Sequence, residues 1–154
     1  MYNVCLRMLN RAEEAEDILQ DAFLDAFTHL HRFRQQSTFG AWLKQIVVNK
    51  AISQLRARRI KWVELESLQN AEKEYDIEDH YYYETDNEEL KIESIKKAVR
   101  QLPDGYRVVL SLYLFEGYDH EEISALLGVS ESTSRTQYMR AKQKLLDIVK
   151  KKTN

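Results

Sequence analysis

The chain has 154 residues, 44% of them apolar and 31% charged, with a formal net charge of −2. That length holds one medium domain or two small ones, and a single proline with four glycines favours long helices over a many-turned β fold. No run of about 18 apolar residues and no basic–apolar–small-residue leader is present, so neither a membrane span nor a signal peptide is expected. The lone Cys5 excludes an internal disulfide framework and offers no metal-ligand spacing. It is expected to be a small buried apolar residue, and together these features point to the cytoplasm. The modest total charge conceals a pattern. Residues 1–60 hold 9 basic and 6 acidic side chains, residues 61–88 hold 2 and 10, and residues 89–154 hold 12 and 9. Two mildly basic blocks therefore flank an acidic bridge.

Tyr2 to Leu9 reads as the end of a helix, with Val4, Leu6 and Leu9 apolar. It begins without a capping signal, and a further helix upstream is expected. Glu13 to Leu30 is strongly amphipathic: Ala15, Ile18, Leu19, Ala22, Phe23, Ala26, Phe27 and Leu30 recur at three and four residues. Its first turn is acidic, which suits the positive end of the helix dipole. A loop follows over Arg32–Thr38, where Ser37 or Thr38 can cap the next helix. That helix spans about Phe39 to Arg59, with Trp42, Leu43, Ile46, Val47, Ala51, Ile52 and Leu55 as its apolar stripe. It ends in Arg56, Arg58, Arg59 and Lys61, a cluster that dipole compensation alone accounts for. Residues 61–88 lose periodicity and read as a flexible acidic linker, with Tyr81, Tyr82 and Tyr83 unusual in a plain spacer.

Glu89 to Leu102 returns to helix, and Pro103 breaks it and fits the first turn of the next. Tyr106 to Phe115 is expected as a largely buried helix. In the following stretch Ile123, Leu126 and Leu127 form one apolar face, Gly128 suits a left-handed helix end, and Ser130 suits an N-cap. Tyr138, Ala141 and Leu145 then repeat at three and four residues. This is the outline of a helix-turn-helix, whose second helix enters the DNA major groove. Arg135, Thr136, Met139 and Arg140 share the other face, within reach of base edges and phosphates. The fold expected is all-α: two small helical domains joined by the flexible acidic linker.

Catalysis finds little support. His29, His31, His80 and His120 are scattered, and no nucleophile motif, metal-ligand cluster, cofactor motif or phosphate-binding glycine loop is present. The stretch Arg32 to Arg59 is richer, because it interleaves cations, aromatics and polar side chains. Those are the groups that single-stranded DNA binding uses for phosphates, stacking and base edges. Phe33, Phe39 and Trp42 at helical spacing fit an ordinary core as well. Asn49, among apolar neighbours in VVNKAIS, is either a satisfied internal amide or a base reader.

These residues carry a resemblance. AEEAEDILQDAFLDAF and RFRQQSTFGAWLKQIVVNKAISQLRARR resemble region 2 of the extracytoplasmic-function (ECF) sigma factors of the sigma-70 family. LPDGYRVVLSLYLFEGYDHEEISALLGVSESTSRTQYMRAKQKLL resembles their region 4. Residues 1–60 would be a region 2-like domain, 61–88 the linker and 89–154 a region 4-like domain. The resemblance implies a non-enzymatic subunit that brings core RNA polymerase to promoters, reads their −35 and −10 elements and aids melting. It places Asp17, Gln20, Asp21 and Phe23 on the surface that docks on the β′ clamp helices. It places Arg34, Gln35, Gln36, Ser37 and Thr38 in the loop that captures a flipped −10 base, with Asn49 near that pocket. Arg56, Arg58 and Arg59 would hold phosphates, which position without specifying. Arg135, Thr136, Met139 and Arg140 match the −35-reading positions, where an arginine can pair with guanine and a methionine can meet a thymine methyl. The β flap is a second polymerase contact, and an anti-sigma factor is a further partner the family allows. The linker matches the segment that threads toward the polymerase active centre and RNA exit path.

Two departures stand out. A helix that the family usually carries before the position of Tyr2 is absent, which suggests a truncated N-terminus. Gln137 stands where many members have a basic residue, so a shifted −35 preference or a lost phosphate contact is expected. The main rival is a stand-alone helix-turn-helix regulator that binds duplex DNA without polymerase, with residues 1–60 as a sensor or dimerisation module. A third reading is an adaptor that binds polymerase without reading promoters.

Overall fold

The computed structural model describes residues 1–58 and 88–153, and every described segment of regular structure is helical. The acidic stretch from 61 to 87, with its three tyrosines, lies outside the described residues.

Helix α1 (Tyr2–Leu9) buries Val4, Cys5, Met8 and Leu9, one face of two turns. Burial pushes the Cys5 thiol pKa up, so the group stays neutral and apolar. Asn10 ends the helix in the left-handed conformation, a role that Asn tolerates better than most residues. Helix α2 (Ala12–Thr28) buries only alanines, Ala15, Ala22 and Ala26. Small side chains on that face let α1 and α3 approach closely, since interaxial distance follows side-chain size. A 3₁₀ turn, Leu30–Arg32, leads into the loop. Helix α3 (Phe39–Ala57) starts where Thr38 Oγ1 accepts a hydrogen bond from the Ala41 amide at 3.2 Å, so Thr38, not Ser37, is the cap. Leu43, Val47, Val48, Ala51, Ile52 and Leu55 are its buried stripe.

Helices α4 (Glu88–Arg100) and α5 (Asp104–Leu110) follow. The chain expected as one helix to Phe115 changes pitch: Ser111–Phe115 is a π-helical turn. The wider turn leaves Tyr113, Leu114 and Phe115 exposed, where a continued α-helix was expected to bury them. Helix α6 (His120–Leu127) opens with a reciprocal capping box. Asp119 accepts from the Glu122 amide at 2.8 Å, and Glu122 accepts from the Asp119 amide at 2.9 Å. Gly128, at φ 68°, closes the helix, and the Val129 amide donates back to the Ser124 carbonyl. Ser130 then accepts from the Thr133 amide at 3.0 Å and starts α7 (Glu131–Thr153).

The two helical units share one core. Val108, Val109, Leu112, Ile123 and Leu127 of the second unit join the cluster built by α1, α2 and α3. A smaller cluster of Val99, Leu102, Leu110 and Ala141 holds α4, α5 and α7 together. Polar contacts stitch the seam between the units. Glu116, its side chain 4% exposed, pairs with Arg7 at 2.6 Å and with Lys44 at 2.8 Å. Burial alone raises the Glu116 carboxyl pKa, but the hydrogen bonds and charges of Lys44 and Arg7 outweigh it and hold the group below the usual carboxylate range. Arg58, Arg11 and Gln54 likewise overcome burial at Glu14.

A carboxylate whose pKa is depressed on folding adds stability above its unfolded pKa, and that stability is lost as pH falls through the folded value. The urea midpoint is therefore expected to hold level from neutral pH to about pH 5 and to fall below about pH 4. An unchanged midpoint at pH 3 would contradict these pairings.

Candidate nucleic-acid interface

The outer face of α7 displays the predicted readers. Arg135 and Met139 are exposed, and Thr136 and Arg140 are half-buried. Arg135 reaches back to Glu131 at 3.5 Å, and Thr136 Oγ1 donates to the Ser132 carbonyl at 3.0 Å. The inner face fixes the helix in place. His120 Nδ1 lies 2.9 Å from the Ser134 hydroxyl, and its ring stacks on Tyr113 at 4.6 Å. Burial, and then the nearby Arg135, lower the His120 pKa, which keeps the ring neutral at neutral pH. Tyr138 packs against Tyr113, and Lys142 lies 5.0 Å over the Tyr138 ring.

Gln137 lies elsewhere than expected. It is 2% exposed and sits on the inner face with Ser134 and Ala141, three and four residues away. That places it in the packing rather than on the outer face of α7. Its Oε1 is buried without a protein partner.

The second set lies on the loop before α3 and on α3 itself. Arg34, Gln35, Gln36, Ser37 and Thr38 are all exposed. Gln35 has φ 56°, an uncommon conformation for a residue with a side chain, and it turns the loop sharply. Behind the loop, Phe33, Phe39 and Trp42 form a three-ring cluster with centroids 5.4 to 5.9 Å apart. Trp42 leans on the core while Phe39 stays exposed, so the cluster is neither pure core nor free platform. Asn49 is exposed, which decides against an internal amide. Beside it, Lys50 is tied to Asp25 at 2.7 Å.

The three arginines at the end of α3 part company. Arg56 is exposed, and its Nη2 donates to the Leu126 carbonyl of α6 at 2.8 Å. Arg58 turns inward instead, pairing with Glu14 and donating to the Leu9 carbonyl at 2.9 Å. Two residues on a helix point about 200° apart, which is why the neighbours differ. Arg59 lies outside the described residues.

A third exposed set covers α2. Asp17, Gln20 and Asp21 are exposed, as expected of a docking face. Phe23, Leu24, Phe27 and Leu30 are exposed too, Phe27 at 66%. The sequence pattern placed Phe27 and Leu30 in the core and passed over Leu24. Ala15, Ala22 and Ala26 fill the tightest space against α1 and α3, Ile18 and Leu19 pack partly buried beside them, and the phenylalanines are left outside. Their size was the signal, because a helix that buries only alanines has no room for a phenylalanine stripe on the same face. Among the described residues, no helix is long and apolar enough to cross a membrane, and no group of three or more His, Cys, Asp or Glu is placed to hold a metal.

Family comparisons agree with this geometry. Residues 1–60 match the model of Sigma-70 region 2, and residues 92–145 match that of Sigma-70, region 4. The chain is 31% identical over 148 residues to RNA polymerase sigma factor YlaC of Bacillus subtilis, covering 94% of this chain and 83% of that one. It is 29% identical over 156 residues to the RNA polymerase sigma-H factor of Pseudomonas aeruginosa, covering 93% and 77%. To the ECF RNA polymerase sigma factor SigW of Bacillus subtilis it is 27% identical over 150 residues, covering 94% and 80%. The fold also matches the sigma factor RpoE in its co-crystal structure with the anti-sigma factor NepR from Bartonella quintana, at TM-score 0.62 and 24% identity, covering 97% and 89%. The region 2 match over residues 1–60 decides against a stand-alone regulator that would carry a sensor or dimerisation module there. The chain belongs to the ECF group of the sigma-70 family and, as a non-enzymatic sigma factor, directs RNA polymerase in promoter recognition and transcription initiation.

Proposed function

We propose that three exposed surfaces divide the work of initiation. Arg135, Thr136, Met139 and Arg140 read the −35 element in the major groove. The loop Arg34, Gln35, Gln36, Ser37 and Thr38, with Asn49, captures a −10 base taken out of the stack, so reading and strand opening become one event. Arg56 holds a backbone phosphate there, and Arg59 is assigned the same task. Arg58 is set aside from that group, because its guanidinium already serves Glu14 and the end of α1. Asp17, Gln20, Asp21 and Phe23, joined by Leu24 and Phe27, dock on the β′ clamp helices. The exposed Ile92 and Ile95 of α4 are assigned to the β flap. The boundaries proposed are residues 1–60 for the first domain, 61–88 for the linker and 89–154 for the second. A protein with these partners works in the cytoplasm, and an anti-sigma factor is proposed as a further partner, by analogy with the RpoE–NepR pair.

The observation that carries the −10 assignment is the exposure of Asn49 and the whole capture loop beside a half-buried aromatic cluster. Arg140→Ala is expected to cost about 1–3 kcal/mol of discrimination at one −35 position. Asn49→Ala is expected to slow opening of a duplex promoter and to regain most activity on a pre-melted template. Permanganate footprinting and transcription on the two templates read both effects. If both variants lost only salt-dependent affinity, equally on every sequence, these assignments would be wrong.

A further inference from the structure

On the outer face of α7, Arg135 pairs with Glu131 at 3.5 Å, and Thr136 Oγ1 donates to the Ser132 carbonyl at 3.0 Å. Both partners belong to α7 itself, so these contacts turn with the helix and do not set its rotation. Rotation matters for reading bases. A turn of roughly 10° moves atoms about 6 Å from a helix axis by about 1 Å. That is twice the ~0.5 Å within which a binding constellation has to be held. The aim of the readers therefore depends on what grips the inner face.

Ser134, Gln137, Tyr138 and Ala141 lie on that face. Ala141 is held by apolar packing with Val99, Leu102 and Leu110, which resists separation more than small rotations. The Gln137 Oε1 has no protein partner. Ser134 is different. It is 0% exposed, it directly precedes Arg135, and its hydroxyl lies 2.9 Å from Nδ1 of His120, the first residue of α6. A hydrogen bond is directional and weakens steeply with misalignment. The neutral imidazole and the hydroxyl can each donate or accept, so the bond forms in either tautomer. The His120 ring is itself held: it stacks on Tyr113 with centroids 4.6 Å apart at 19°, and it meets the Tyr138 ring edge-on at 5.7 Å. Its backbone is held by the reciprocal capping box of Asp119 and Glu122. A rigid chain of contacts thus runs from the start of α6 to the residue before Arg135.

We propose that His120 is a positioning residue for −35 specificity: its hydrogen bond to Ser134 fixes the rotation of α7 and with it the aim of Arg135 and Thr136. The proposal rests on the assignment of the −35 reading face. His120 touches no base in this scheme; it acts through Ser134. Loss of the bond blurs base preference, because a bidentate arginine contact depends on alignment more than a phosphate contact does.

The test uses holoenzyme reconstituted from core polymerase and the full chain, transcribing a promoter library randomised over the −35 element. Sequencing of barcoded transcripts gives the preference at each −35 position. His120→Phe keeps a stacking ring and removes the hydrogen bond, and is expected to reduce discrimination at one or two positions by about 3–10-fold. Ser134→Ala removes the same bond from the other side and is expected to blur the same positions. It carries the test if circular dichroism shows His120→Phe to be unfolded. The double variant is expected to lose no more than either single one, since both act on one bond. His120→Asn places an amide near the Nδ1 position and is expected to restore discrimination to within about twofold of the wild type. Three results overturn the proposal: an unchanged −35 profile in the folded variants, losses that add in the double variant, or a fall in transcription that is equal for every −35 sequence. Arg135→Ala and Arg140→Ala on the same library separate this from the underlying assignment. If they leave the −35 preference unchanged, the reading face is wrong and the positioning role falls with it. If they shift it while the His120 and Ser134 variants do not, the positioning role alone is wrong.

Discussion

Replacing Arg107 with alanine is expected to destabilise the fold by about 3–5 kcal/mol, the range for removing one member of a buried charged network. Arg107 is 2% exposed, and its guanidinium serves three carbonyls, those of Arg7, Met8 and Leu102, besides pairing with Asp104. Truncation leaves those carbonyls short of a donor in a site with little access to water, at about 1–3 kcal/mol for each one left unsatisfied. Arg107→Lys keeps the charge but loses the planar fork, so an intermediate loss is expected. Urea unfolding at constant m reads the difference. A change under about 1 kcal/mol for the alanine variant would show that the network contributes little.

The second large effect falls on polymerase binding. Phe23→Ser and Phe27→Ser, singly, are each expected to weaken affinity for core polymerase by about 30-fold or more, as for an aromatic anchor worth about 2 kcal/mol. Stability should change little for Phe27→Ser, because that side chain is 66% exposed. Phe23 is 37% exposed, so its replacement should cost somewhat more in the fold. The contrast between folding and binding is the informative part. A core residue would show a large loss of stability and a binding loss that merely follows it. An anchor shows the reverse. Titration of labelled protein with core polymerase, beside urea curves for the same variants, separates the two.

Local pattern carried most of the helices. Thr38, Gly128 and Ser130 cap where their chemistry suggested, because a cap depends on a few neighbouring residues. The helix-turn-helix was legible for the same reason. Periodicity failed where it was asked what an apolar face meets. In α2 the repeat of Ala and Phe marks an amphipathic helix, yet only packing decides that the alanines go inside. It failed again at Ser111–Phe115, where an unbroken apolar run conceals a change of helical pitch. The inward placement of Gln137 and Arg58 was not legible, because a motif match ignores the facing direction that one turn of the helix fixes. The seam was invisible altogether. Arg7–Glu116 and Arg107–Arg7 join residues more than 90 positions apart, and nothing local in the sequence marks such pairs.

The most direct test of the central claim is transcription from a supercoiled promoter library by purified core RNA polymerase, with and without the full-length protein. The expected result is a set of transcripts that appear only with the protein, start at defined positions and share −35 and −10 sequences upstream. Arg140→Ala should shift the shared −35 sequence, and Asn49→Ala should suppress the transcripts unless the −10 region is already melted. Transcripts identical with and without the protein would contradict the claim.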